Sequence, residues 1–308
     1  MTTYAYLGPR GTFTEAALLT MPQSAGAELR PVASVALALD LVRAGEVTGA
    51  LVPIENSVEG SVPTTLDELS HGTILQIVDE IAIPVKFALL VRPGTKIEDI
   101  NRVATHPHAH AQCAGWIAEN LPGAHVLPAM STAAAAAELT DDANYQAAIA
   151  STAAAEHYGL EILREGIADQ SAAWTRFILV RSPGHALPPS GNDKTTLSLF
   201  MHEDHPGALL EILTEFSLRG VNLTRIESRP TRKQLGDYFF SIDCEGHIDD
   251  EHVGEALKGL HRICADVKFL GSYPRHEAHV TDSDGFTLET EFKDANEWLS
   301  HIRDRASD

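Results

Sequence analysis

The sequence predicts an α/β protein in two domains, and three observations carry that prediction. Over residues 3–181 short β-branched or apolar runs alternate with helical patterns, a stretch at 183–194 punctuated by proline and glycine loses all periodicity, and from 195 onward the runs follow the order βαββαβ. With 308 residues, 44% hydrophobic and 21% charged, the chain is long enough to bury two cores.

In the first domain, 1–182, the candidate strands are 3–7, 49–53, 102–105, 124–127 and 147–150. Each leads through a polar or glycine-bearing turn into a helix-like segment, as in a layered domain with a mostly parallel sheet. Residues 74–93 break the rhythm, because 74–78 and 83–91 are strand-like runs with no helix between them. They read as a crossover between two lobes, with the strand candidate at 175–181 returning to the first lobe and a cleft between the two. After the linker at 183–194, the second domain, 195–275, has strands at 195–201, 222–227, 237–245 and 267–273 and helices at 207–219 and 250–262, the order of a ferredoxin-like fold. A tail, 276–308, opens on an acidic stretch and closes in a short helix at 294–305, whose weak apolar face comes from Ala295, Trp298, Leu299 and Ile302.

A formal charge of −20, with no lysine- or arginine-rich run, repels a phosphate backbone and excludes nucleic acid as a partner. The same acidity opposes small anions, so an anion site has to be built from local donors such as helix N-termini. Cys113, Cys244 and Cys264 are odd in number and widely spaced, and read as buried thiols in a reducing compartment. With no leader-like opening and no apolar run of membrane-spanning length, the expectation is a cytoplasmic protein without a membrane partner.

Gly8-Pro9-Arg10-Gly11-Thr12-Phe13 follows a strand and opens a helix, so it is either an anion seat around Gly11 and Thr12 or an ordinary capped helix. Pro53-Ile54-Glu55-Asn56-Ser57 ends a strand, and Asn56 and Ser57 are either ligand-binding or turn residues. A carboxylate at Glu55 has to be turned away or protonated if an anion is to bind nearby. His106, His108 and His110 lack the companion ligands of a metal site, so no metal is expected and helix-capping or cleft-lining roles are preferred. Ser131-Thr132 and Ser151-Thr152 are N-caps by themselves. Thr12, Ser57, Thr105, Ser131 and Ser151 nevertheless all stand where strand gives way to helix, and such turns converge at the carboxyl edge of a parallel sheet. On a strand, Thr175 and Phe177 face one way and Arg176 the other.

Taken in order, these segments and His106-Pro107 through Gln112-Cys113, Ser131-Thr132-Ala133 and Thr175-Arg176-Phe177 resemble prephenate dehydratase along nearly the whole chain to Arg275. The resemblance implies a two-lobed catalytic domain of the periplasmic-binding-protein type (type II). It implies a carbon–oxygen lyase of L-phenylalanine biosynthesis that needs no cofactor. It also implies that Thr175 is the key catalytic residue and that Asn56, Thr105 and Gln112 handle substrate. With the residues above, this makes Gly11, Thr12, Asn56, Ser57, Thr105, Gln112, Ser131, Thr132, Arg176 and Phe177 the candidate prephenate-binding set.

The family often has serine before the His-Pro pair and glutamine after it, where this chain has Thr105 and His108. It often has an asparagine shortly before Thr-Arg-Phe, where Ala172 and Ala173 stand. The second domain is similar to an ACT domain of the phenylalanine-sensing kind. Pro206-Gly207-Ala208-Leu209-Leu210, Asn222-Leu223 and Glu227-Ser228-Arg229-Pro230 carry the likeness, which makes Gly207, Ala208, Leu209, Asn222, Leu223, Glu227 and Ser228 the candidate phenylalanine site.

Prephenate loses carbon dioxide and hydroxide together, so no protein base is required, and the expected task of Thr175 is to donate to the departing hydroxyl, with Phe177 as an apolar wall. Feedback by phenylalanine through paired ACT domains implies a homodimer or homotetramer. Deleting residues from 195 onward is then expected to leave activity and abolish sensitivity. Two rivals stand beside this reading: a non-catalytic sensor of an anion and an amino acid, and an arogenate dehydratase in which Glu55 receives the substrate ammonium.

Overall fold

The computed structural model describes residues 2–140, 143–169, 173–202, 205–232, 237–276 and 285–305. Its contacts divide the chain into two compact units, one of Met1–Thr65 with Ile81–Leu179 and one of Leu66–Glu80 with Val180–Asp308.

Two lobes are built mainly on the first unit, although residues 66–80 and 180–181 fall in the second. Lobe 1 is built on β1 (Thr3–Leu7), β2 (Glu28–Val32), β3 (Gly49–Asn56), the short β4 (Gly60–Ser61), β5 (Gln76–Pro84) and, much later, β11 (Trp174–Arg181), in a sheet ordered β2-β1-β3-β11-β5 with β4 on β3. Its helices are α1 (Phe13–Thr20), α2 (Val35–Arg43) and α3 (Pro63–Ser70). Lobe 2 is built on β6 (Ala88–Val91), β7 (Arg102–Thr105), β8 (His125–Pro128), β9 (Ala147–Ala150) and β10 (Glu161–Glu165), ordered β10-β6-β9-β7-β8, with α4 (Pro107–Asn120), α5 (Thr132–Leu139) and α6 (Thr152–Tyr158).

The central strands of lobe 2 read Ala-Leu-Leu-Val and Ala-Ala-Ile-Ala, and all eight of these residues are fully buried. A strand covered on both faces needs apolar residues at every position rather than at alternate ones. On one face Leu89, Val91 and Ile149 meet Cys113 and Ile117 of α4, and on the other Ala88, Leu90 and Ala148 meet Ala135, Leu139 and Ala154 of α5 and α6. Alanine-rich helices let the backbone settle close to the sheet. The chain crosses between lobes twice, and the crossing segments pair with each other: Val85 N donates to Ala173 O at 2.8 Å and Ile167 N to Phe87 O at 3.2 Å.

Sequence pattern and structure part at several elements. The predicted runs at 74–78 and 83–91 fall instead as β5 and β6, broken at 85–87 where the chain changes lobe. β2 and β10 carry no long apolar run, since both are largely exposed, and pattern reading passed over them. The sheet of lobe 2 is mixed, because β6 runs antiparallel to both β9 and β10.

The second unit carries β12 (Asp193–Phe200), α7 (Ala208–Ser217), β13 (Leu223–Pro230), β14 (Tyr238–Glu245), α8 (Glu251–Ile263) and β15 (Asp266–Pro274), an antiparallel sheet ordered β13-β14-β12-β15. Leu197, Leu199, Ile212, Phe216, Ile242, Val253 and Leu260 form its core. The last two residues of the predicted linker already belong to β12, and the Asp193 carboxylate accepts from Ser190 N, Ser190 Oγ and Gly191 N at 2.7, 2.8 and 3.1 Å. Asp243, fully buried in β14, is held by Arg225 Nε and Nη2 at 3.0 and 2.8 Å and by Thr196 Oγ1 at 2.9 Å. The short helix expected at 294–305 is a 21-residue helix, α9 (Gly285–Arg305), while 277–284 of the acidic stretch lie outside the described residues.

Residues 66–80, which sequence order alone places with the first domain, pack within the second unit. The Asp67 carboxylate, 3% exposed, pairs with Arg229 at 3.1 Å and with Arg232, and Glu80, 4% exposed, pairs with Lys194 at 2.8 Å. At Gly271 (φ 137°) an added Cβ would collide with the Ile77 carbonyl. Gly271→Ala is therefore expected to destabilise the fold by about 1–3 kcal/mol. A denaturant midpoint equal to that of the unchanged protein would contradict this close approach.

Candidate active site

Asn56 ends β3, and its Oδ1 accepts from Val58 N at 2.9 Å and Glu59 N at 3.1 Å. This Asx turn fixes which way the amide points, because only the oxygen can accept two N–H groups. The Nδ2 amide is thereby aimed at Thr175 Oγ1, to which it donates at 2.9 Å. One residue along each strand, Ser57 N donates to Trp174 O and Trp174 N to Ser57 Oγ, both at 2.9 Å. The end of β3 and the start of β11 are thus stitched together by residues more than a hundred positions apart in the chain, and Thr175 is held half-buried at that seam.

Strand alternation puts Glu55 and Arg176 on the opposite face. Arg176 Nε and Nη2 each lie 3.1 Å from Glu55 Oε2. The carboxylate that sequence reasoning required to be turned away or protonated is instead neutralised by an arginine, so it does not repel an anion at Asn56.

Other candidates are committed within the fold. Gly11 N donates to Glu15 Oε2 at 2.6 Å, Tyr6 OH donates to the other oxygen of that carboxylate at 2.6 Å, and the Gly11 carbonyl accepts from Ser151 Oγ at 2.8 Å. Burial, with the Glu15 carboxylate second, pushes the Tyr6 phenol well above its ordinary range. Thr12 caps α1 and donates its hydroxyl to Leu7 O at 3.0 Å. The anion seat proposed at this loop is filled by the protein's own carboxylate, and the capped-helix alternative describes it. Thr105 is fully buried and donates to Ile149 O at 2.8 Å, which ties β7 to β9 and leaves no hydroxyl at a surface. Phe177, 1% exposed, is a core ring rather than a wall open to ligand. Ser131 is the N-cap of α5, accepting from Ala134 N at 3.0 Å, and Thr132 is the first residue of that helix.

His106 caps α4 through its ring, with Nδ1 accepting from His108 N at 3.3 Å. That role requires a neutral imidazole. Burial first, then the neighbouring His108, lowers its pKa against the opposing pull of Glu59. His108 Nδ1 lies 2.5 Å from Glu59 Oε2, and Gln112 Nε2 donates to Glu59 Oε1 at 3.4 Å. Glu59, which sequence reasoning passed over, therefore touches both lobes; its signal was its place within the turn that Asn56 organises. Among the described residues no group of three or more His, Cys, Asp or Glu side chains is arranged to hold a metal, and no helix is long and apolar enough to cross a membrane. Ala172 lies outside the described residues, and Ala173 offers the crossing pair only its backbone.

The second unit has a cavity of about 750 Å³. Gly207 at the start of α7, Ala208, Leu209 and Ser228 line it, as do Ser70 and His71 from the end of α3. The His71 ring stands edge-on to Phe200 and Phe239, with Nδ1 2.8 Å from Asp67 O and Nε2 3.1 Å from Thr231 O. Gly207 has φ 97°, a left-handed conformation that suits glycine. Asn222, Leu223 and Glu227, predicted for the same site, do not line this cavity.

Two lobes joined by a pair of crossing segments, with a polar seam at the meeting of two strands, define a two-lobed α/β domain, here followed by a ferredoxin-like unit with its own cavity. The prephenate dehydratase family model matches residues 4–185 and the ACT domain model residues 195–262. The chain belongs to the prephenate dehydratase family. It is 45% identical over 311 residues to the prephenate dehydratase of Mycobacterium tuberculosis (strain ATCC 25618 / H37Rv), covering 98% of this chain and 94% of the relative. The solved structure of prephenate dehydratase from Arthrobacter aurescens in complex with L-Phe superposes with a TM-score of 0.91 at 50% identity, over 98% of this chain and 100% of that one. GqqA, described as a novel type of quorum quenching acylase, matches with a TM-score of 0.78 at 33% identity over 88% of this chain and 97% of its own.

Proposed function

We propose that this protein converts prephenate to phenylpyruvate, carbon dioxide and water, with Thr175 assisting departure of the hydroxyl, and that phenylalanine regulates it through the second unit. The observation that carries the catalytic part is the Asn56–Thr175 hydrogen bond. Because Asn56 Nδ2 is the donor, Thr175 Oγ1 is the acceptor, and its own proton is left to point elsewhere. A donor on the oxygen also stabilises negative charge there, which makes a poor acid a better one. As the ring carboxylate leaves as carbon dioxide, its electrons aromatise the ring and expel hydroxide, and a proton or strong hydrogen bond from Thr175 to that oxygen lowers the barrier. Asn56, Ser57 and Gln112 are assigned to holding the substrate, with the N-termini of α4 and α5, the latter at Ser131 and Thr132, as further donors.

The keto acid fits better than arogenate. The carboxylate that an ammonium would seek, Glu55, is engaged by Arg176. Turnover of prephenate and arogenate side by side, followed as phenylpyruvate and phenylalanine formation, tests this. A higher kcat/KM on arogenate would overturn the preference.

We assign residues 1–182 to catalysis, 183–194 to the linker and 195–275 to effector binding, in a cytoplasmic homo-oligomer paired through its ACT domains. The A. aurescens relative binds L-Phe, and the cavity beside Gly207 is the place assigned to it here. Ser228→Trp is expected to fill that cavity and remove the response to phenylalanine at unchanged basal turnover. Inhibition curves that superpose with those of the unchanged protein would move the effector elsewhere.

A further inference from the structure

Glu59 sits in the turn between β3 and β4, in lobe 1, but its side chain leaves that lobe. Oε2 lies 2.5 Å from His108 Nδ1 and Oε1 accepts from Gln112 Nε2 at 3.4 Å, both on α4 of lobe 2. Its backbone N–H donates to Asn56 Oδ1 at 3.1 Å, and Asn56 Nδ2 donates to Thr175 Oγ1 at 2.9 Å. An unbroken set of contacts therefore runs from the first turns of α4 to the threonine hydroxyl.

We infer that Glu59 is a positioning residue that ties closure of the two lobes to the alignment of Asn56 on Thr175. Opening the lobes breaks both side-chain contacts of Glu59 and removes the restraint on its backbone, which is one of the two donors that hold the Asn56 amide in place. Gly60, at φ 84° with open space around it, allows the chain to turn immediately after Glu59. The exposure of the partners bears on the role. With side chains 66% exposed at His108 and 35% at Glu59, the pair is a weak one. A permanent tie would have to be strong, whereas a latch that opens to release product at each turnover has to be weak.

The inference rests on the reading that Thr175 and Asn56 act on the substrate, and the test separates the two. In the full-length protein, kcat and KM for prephenate would be measured for Glu59→Ala, Glu59→Asp, His108→Ala, His108→Gln, the Glu59→Ala/His108→Ala double variant and Thr175→Ala, with thermal melting of each to confirm folding. Glu59→Ala and His108→Ala are expected to lower kcat/KM by about twofold to fivefold each, the range of a partly exposed ion pair. The double variant should be no worse than either single one, since one contact cannot be lost twice. Glu59→Asp, which keeps the charge but not the reach, should behave like Glu59→Ala, while His108→Gln should stay close to the unchanged protein. Multiplicative effects in the double variant, or a Glu59→Ala enzyme with unaltered kcat and KM, would overturn the latch while a crippled Thr175→Ala enzyme keeps the site reading intact. Full turnover in Thr175→Ala would overturn both.

Discussion

Thr175→Ala is expected to lower kcat for prephenate by about 10²- to 10⁴-fold, the usual worth of acid assistance, with KM changed little. Two features of the site argue for this split. Thr175 accepts its fixed hydrogen bond from Asn56, so removal of the hydroxyl deletes a donor aimed at the leaving group without disturbing the Asx turn, which Val58 and Glu59 maintain through their own N–H groups. The substrate carboxylates are assigned to other donors, so ground-state binding survives. Thr175→Ser, which keeps a hydroxyl, should retain most of the rate. Single-turnover measurements of phenylpyruvate formation check both, and a large rise in KM with kcat unchanged would show that Thr175 binds rather than assists.

Lys194→Ala is expected to destabilise the second unit by about 3–5 kcal/mol, because it removes the cation paired with a buried carboxylate. Both Nζ–Oε contacts to Glu80 are short, 2.8 and 2.9 Å, and the two side chains are 9% and 3% exposed. Replacing both residues by apolar ones of similar size should recover much of the loss, since burial of a carboxylate without its cation rather than the missing attraction carries most of the cost. Urea denaturation of the single and paired variants measures this directly. A midpoint unchanged in Lys194→Ala would show that Glu80 reaches water or another cation. The same arrangement revises the truncation expected from sequence. A chain ending before residue 195 would keep Lys194 but lose the rest of β12 and leave Asp67 without Arg229 and Arg232, so its activity would report damage as much as lost regulation. Point changes in the cavity are the cleaner test of effector sensing.

Much of the site was legible because short motifs carry local geometry with them. Asn56 at a strand end followed by polar residues is a turn signal, and Ser131, Ser151 and Thr12 are N-caps wherever strand yields to helix. Helices α7 and α8 were read to within two residues at each end, since apolar periodicity depends on neighbours three and four apart. Thr105 and Phe177 were misjudged for a related reason. A motif marks a position as special without saying whether its side chain faces a cleft or the core, and burial of 0% and 1% resolves that only in three dimensions.

By itself the sequence determined what depends on neighbouring residues: much of the alternation of strand and helix, the caps and the βαββαβ order. Tertiary structure alone decided which distant residues meet. It set Asn56 against Thr175, placed Arg176 on Glu55, carried Glu59 across to His108, and drew 66–80 into the second unit through Asp67 and Glu80. The physical reason is that each of these pairs joins residues separated by tens of positions or more, and the entropy of closing such loops is offset only by the assembled sheets and their buried cores, which no local pattern encodes.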